Sequence, residues 1–136
     1  MLRNSYIAFL VACLLSVNCA ACNSTRNSPA IDRHDSEAVL RAYFAAWARN
    51  DKDAQTSFMV PKYEHLAREP VASLRVLSVA LADGASATTR VYAVSFDVTF
   101  NGGRSISMED GHYNWTYTLT WDATRDSWLI ANYGAG

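Results

Sequence analysis

Apolar and polar positions alternate along this chain with two different periods, and the change from one to the other divides it. From Ser36 to Ala48 the large apolar residues stand at Val39, Leu40, Tyr43, Phe44 and Trp47, a spacing that lines one side of a helix. Asp35 or Ser36 supplies the N-cap, and Glu37 places a negative charge in the first turn, where the helix dipole favours it. Asn50-Asp51 ends this helix, a short second one is expected over 53–59, and Pro61 interrupts the pattern. One or two further helical turns fit 62–69 before Pro70.

Beyond Pro70 the period falls to two. Leu74–Leu81 is rich in Val and Leu and reads as a strand, closed by an Asp83-Gly84 turn. Tyr92, Val94, Phe96, Val98 and Phe100 then alternate with Ala93, Ser95, Asp97 and Thr99, so one strand face is buried and the other wet. Asn101-Gly102-Gly103 supplies turn chemistry. Tyr113, Trp115, Tyr117, Leu119 and Trp121 repeat the alternation against Asn114, Thr116, Thr118, Thr120 and Asp122. After a turn over 122–126, a last strand is expected over 128–133. Helices first and strands after predict an α+β domain, with N-terminal helices packed on a curved antiparallel sheet of about four strands.

The pattern before Ser36 is of another kind. Arg3 precedes twelve uncharged residues, Tyr6 to Val17, too few for a membrane-spanning helix, which needs roughly 20, and suited to the core of an export signal. All three cysteines, Cys13, Cys19 and Cys22, lie in the first 22 of 136 residues, and small residues, Ala20 and Ala21, stand immediately before Cys22. This resembles the lipobox of bacterial lipoproteins, with Cys19 where that motif usually has leucine. The resemblance implies cleavage before Cys22, a lipid on its thiol, and anchorage to a membrane of the cell envelope, facing away from the cytoplasm. The other reading is an ordinary secretory signal cut near Ala21, leaving Cys22 as a free thiol. Either way no disulfide framework is expected. The segment Asn23–Ala30 is polar and reads as a tether. The expected division is thus 1–21 signal peptide, 22–34 lipidated cysteine and tether, and 35–136 folded domain.

The helix Ala38-Val-Leu-Arg-Ala-Tyr-Phe-Ala-Ala-Trp47, the Pro-containing region after Asn50-Asp51 and the strand Trp128-Leu-Ile-Ala-Asn-Tyr-Gly134 resemble the nuclear transport factor 2-like superfamily. Met108-Glu-Asp-Gly-His-Tyr-Asn-Trp115 and Trp128-Leu-Ile are similar to segments of small bacterial lipoproteins within it. The resemblance implies a cone, with the sheet wrapped on the first helix and a cavity at the open end. It also brings in isomerases and cyclases that use a buried Asp as base, and homodimers formed through the outer sheet face.

Composition narrows what such a cone could do. Without the leader, and hence without Arg3, 11 basic side chains stand against 13 acidic ones, and no run of like charge marks a nucleic-acid binder. His34, His65 and His112 are scattered, so no metal signature is read, and no cofactor is expected. Asp97 and Asp122 alternate with inward residues and should be solvated, which leaves no candidate catalytic base. Glu109, Asp110 and His112 around Gly111 read as a turn, or as the rim of a cavity or a cation site. No catalytic residue is assigned. The candidate pocket-lining residues are Tyr43, Trp47, Tyr92, Phe96, Trp115 and Tyr117, which could equally be ordinary core. The expected role is a membrane-anchored, non-catalytic module binding a small apolar ligand or a protein partner. A small-molecule enzyme of isomerase or cyclase type is the alternative, and a homodimer through the outer face is compatible with either.

Overall fold

The structure is a computed structural model that describes residues 30–66 and 68–135, with the side chains of 64–66 also outside the description. The expected signal peptide, Cys22 and the expected tether up to Pro29 therefore lie outside the described residues, as does the His65 side chain.

Helix α1 (Ser36–Ala48) starts where the Asp35 carboxylate accepts from the backbone N–H groups of Glu37 and Ala38, satisfying donors that no helical carbonyl can reach. Its inward stripe, Val39, Leu40, Tyr43, Phe44 and Trp47, is buried. The chain leaves α1 at Asn50, which adopts a left-handed φ of 57°, a conformation that asparagine tolerates better than most residues. Helix α2 (Lys52–Ser57) is capped by Asp51 in the same manner as α1, and a 3₁₀ helix follows at Pro61–Leu66.

The rest is one antiparallel meander of β1 (Ser73–Leu81), β2 (Thr89–Thr99), β3 (Gly111–Asp122) and β4 (Ser127–Ala135), in spatial order β1-β2-β3-β4. The expected α+β class is therefore what the chain adopts. Tyr92, Val94, Phe96 and Val98 of β2 are buried and their alternates face outward, as the period of two requires. Irregularities between Val76 and Ser78 on β1, and between Thr118 and Leu119 on β3, sharpen the local twist of the sheet.

The edge of β4 is covered. Met59 forms a parallel bridge with Ile130, the Val60 N–H donates to the Ile130 carbonyl at 3.0 Å, and the Ile130 N–H donates to Phe58 at 2.8 Å. The segment after α2 thus occupies hydrogen-bonding groups that would otherwise template another strand.

Between β2 and β3 the connection is longer than the tight hairpin its glycines suggest. Gly102 and Gly103 both take positive φ, 90° and 82°, and the chain then bridges Arg104 with Glu109 before returning. Asp110 closes this excursion by accepting from the Phe100 N–H at 2.7 Å.

Candidate functional site

Aromatic rings from α1 and the sheet meet at the level of the last turns of α1. Phe44 is the centre, with its ring centroid 5.2 Å from Tyr117, 5.3 Å from Phe96, 5.6 Å from Tyr43 and 6.0 Å from Trp47. Trp115 stacks on Tyr133 at 5.9 Å and meets Phe96 edge-on at 5.7 Å. Edge-on and offset geometries suit ring quadrupoles and add about 0.5–1.5 kcal/mol per pair beyond the area buried.

Of the six residues that sequence selects as pocket lining, Tyr43, Trp47, Phe96 and Tyr117 are fully buried against one another, and Trp115 is half-buried beside them. Tyr92 stands apart from this group. Its hydroxyl hydrogen-bonds Ser36 Oγ at 2.8 Å, joining the start of α1 to β2.

Sequence reasoning missed the residue that organises this end of the domain. Arg68 lies in the irregular stretch before β1, and its guanidinium sits over Trp115 at 4.8 Å, Trp47 at 5.1 Å and Tyr133 at 5.5 Å from the ring centroids. It donates to the Met108 sulfur, a weak acceptor, and no carboxylate among the described residues pairs with it.

Hydrogen bonds between side chains and the backbone of this stretch make it a strap that holds Arg68 there. The Arg68 N–H donates to Gln55 Oε1 at 2.9 Å, and Trp47 Nε1 donates to the Glu69 carbonyl at 3.0 Å. Asn50 accepts from the Val71 N–H at 2.7 Å and donates to its carbonyl at 3.1 Å. Glu69 in turn accepts from the Ile106 N–H at 2.9 Å, which ties the strap to the β2–β3 connection.

Around this guanidinium lie polar groups with unmet capacity. The hydroxyls of Tyr43 and Tyr117 and the Nε2 of Gln55 are buried without a hydrogen-bond partner among the described residues. Burial is the main cause that pushes both phenols well above their usual range; Tyr133 raises Tyr43 further, Tyr43 and Tyr133 raise Tyr117 further, and the charge of Arg68 opposes the shift in both. Both are therefore neutral donors at any ordinary pH. A buried unpaired hydroxyl costs about 1–3 kcal/mol. Replacing Tyr43 by Phe is therefore expected to raise stability by about 1 kcal/mol in urea unfolding, and a loss of similar size would mean the hydroxyl has a partner.

The described acidic side chains occupy other places. None of them is buried. Asp97 lies on the outer sheet face, bonded by His112 at 2.9 Å and Arg75 at 3.1 Å, contacts that lower its pKa below the usual aspartate value. Asp122 accepts from the N–H groups of Thr124 and Arg125 in the β3–β4 turn. The Glu109, Asp110 and His112 set divides three ways: Asp110 caps Phe100, His112 turns to Asp97, and the backbone of Glu109 bonds the Tyr113 hydroxyl.

The Asp97 contacts have a pH consequence. A carboxylate whose folded pKa is depressed stabilises the fold above its unfolded value of about 3.9, and that contribution is lost as pH falls through the folded value. The stability difference between wild type and Asp97→Asn should therefore be present at about pH 6 and vanish in strong acid. Urea midpoints measured along the acid limb check this, and a difference independent of pH would contradict it.

No protein-family model matches the chain, and no curated protein matches it either. Among solved structures it is similar to a SEC-C motif containing protein from Rhodopseudomonas palustris, with a TM-score of 0.55 and 16% identity over 77% of this chain and 81% of that one. That likeness is one of fold. A Delta 5-3-ketosteroid isomerase from Mycobacterium sp. matches at a TM-score of 0.47 and 13% identity, covering 71% of this chain and 89% of the other. An NTF-2 like protein of unknown function from Shewanella oneidensis MR-1 matches at 0.47 and 12%, covering 69% and 93%.

Proposed function

We propose that this protein is a binding module, held on the outer side of a bacterial membrane by lipid on Cys22, whose Arg68 end takes a small ligand at the aromatic core without carrying out chemistry on it. The observation that carries the reading is Arg68 itself. A guanidinium has five N–H donors, and here it rests against three aromatic rings with a thioether as its hydrogen-bond acceptor. Two buried tyrosine hydroxyls nearby lack partners. Donors of this kind suit a ligand with an anionic or strongly accepting oxygen, and the rings suit a planar or apolar body attached to it.

An isomerase-type or cyclase-type reaction needs a base shielded from water. Every described carboxylate is at least partly exposed, which favours binding over catalysis at this end. The membrane tether rests on the Ala20-Ala21-Cys22 pattern and the polar stretch after it. A protein or homodimeric partner would meet the threonine-rich outer face, while the Arg68 end is suited to a small molecule.

Thermal unfolding in the presence of planar carboxylates and their neutral amides tests the ligand chemistry. A ligand at 100 times its Kd stabilises the folded state by about 2.7 kcal/mol. Carboxylates are expected to raise Tm while the matching amides do not; equal effects from both would remove Arg68 from the account. Labelled fatty acid on wild type and its absence from Cys22→Ala test the tether, and label retained by the variant would refute it.

A further inference from the structure

The outer face of the sheet carries a second constellation, built from residues other than those at the Arg68 end. In the β2–β3 register Ser95 stands opposite Asn114, and Asp97 stands opposite His112. The period of two puts all four side chains on the face opposite the buried Val94, Phe96 and Val98. His112 spans the two β2 side chains, with Nδ1 at 2.9 Å from Asp97 Oδ1 and Nε2 at 3.2 Å from Ser95 Oγ.

The chemistry of the partners sets the tautomer. An ionised carboxylate only accepts, so Nδ1 carries the hydrogen, and in the neutral ring Nε2 is left to accept from the Ser95 hydroxyl. Arg75 of β1 holds the second Asp97 oxygen at 3.1 Å, which keeps the carboxylate ionised and its orientation fixed.

Beside Ser95 the surface is indented. A dent of about 270 Å³ is lined by Ser78, Ala80, Ala93, Ser95, Asn114 and Thr116, among others. The small side chains of Ala80 and Ala93 leave room for a short acyl chain, and the Asn114 amide stands across the strand pair from Ser95.

We propose that Ser95, His112 and Asp97 form a nucleophilic triad on the outer sheet face that accepts the acyl group of a small ester, with the Asn114 amide donating to the developing oxyanion. Ser95 Oγ bonds to the ester carbonyl carbon as its proton passes to His112 Nε2. The bond from that carbon to the alcohol oxygen then breaks, and the alcohol leaves with the proton from Nε2. Water attacks the acyl carbon and gives a proton to Nε2; the bond from that carbon to Ser95 Oγ then breaks, and Oγ takes the proton back from Nε2, which releases the acid and restores Ser95 and the neutral imidazole. Asp97 is a positioning residue: it orients the imidazole and stabilises its protonated form.

The test treats the full-length chain with a fluorophosphonate, whose phosphorus bonds to the serine oxygen as fluoride leaves. Peptide mapping should place one label per chain on Ser95, at a rate at least about 100-fold above that of other surface serines, the least that general-base assistance supplies. Asp97→Asn should slow labelling at least about tenfold, and His112→Ala more, while circular dichroism stays unchanged. With 4-nitrophenyl acetate, Asp97→Asn should lower kcat and leave KM in place, and Ser95→Ala should remove turnover beyond that of the imidazole alone. Label spread evenly over the serines, no label, or labelling of Ser95 at the same rate in His112→Ala would overturn the proposal.

Discussion

Replacing Phe44 by Ala is expected to remove about 3–5 kcal/mol of stability, a large part of the 5–15 kcal/mol that a domain of this size holds. Phe44 is 1% exposed and contacts the rings of Tyr43, Trp47, Phe96 and Tyr117, so its loss opens a space that four flat neighbours cannot close without breaking their own contacts. Core rings also join α1 to β2 and β3, and the helix on its own would be marginal in water. At roughly 4–8 °C per kcal/mol the expected fall in Tm is tens of degrees. Phe44→Leu should cost appreciably less, because most of the volume stays. Urea unfolding of both variants measures the difference; a cost below about 1.5 kcal/mol for the alanine would mean that the rings do not pack as described.

The second large effect concerns the ligand and leaves the fold nearly unchanged. Arg68→Gln removes a charge that has no carboxylate partner among the described residues, so stability should change by less than about 1 kcal/mol beyond the loss of ring contacts. Binding is a different matter. A hydrogen bond to a charged group contributes about 1.5–3 kcal/mol, equivalent to roughly a 10- to 150-fold loss of affinity for an anionic ligand. Tyr117→Phe should weaken the same ligand by a smaller factor while leaving the apo domain as stable as before or more so. If Arg68→Gln unfolds the domain and binding is retained by whatever fraction folds, the arginine is a structural plug and not a ligand group.

The regular elements were legible because burial acts on them periodically. The stripe Val39, Leu40, Tyr43, Phe44, Trp47 and the alternation on β2 each record one buried face, and the structure buries those faces. Arg68 left no such trace. It lies outside any repeating pattern, and what places it is a set of long-range contacts from Gln55, Trp47 and Asn50 that no local spacing encodes. The same is true of Met59, which reads as the end of a helix but bridges to Ile130 on β4.

The outer-face constellation was hidden for a related reason. Ser95 and Asp97 share a strand face in any reading, but His112 joins them only through the register that pairs Asp97 with His112. That register is set by an irregular connection over 100–110, with its Arg104–Glu109 bridge and two glycines at positive φ, and cannot be counted from a two-residue turn. Grouping Glu109, Asp110 and His112 by proximity in sequence missed that Gly111 begins β3 and sends His112 to the outer face.

The claim that the Arg68 end receives a small molecule is tested most directly by native mass spectrometry of the protein purified from its own host, beside Arg68→Gln purified in parallel. The account predicts an added small-molecule mass on the wild-type protein that disappears on denaturation and is absent or much reduced in the variant. A clean apo mass for both proteins, or the same added mass on both, would contradict it.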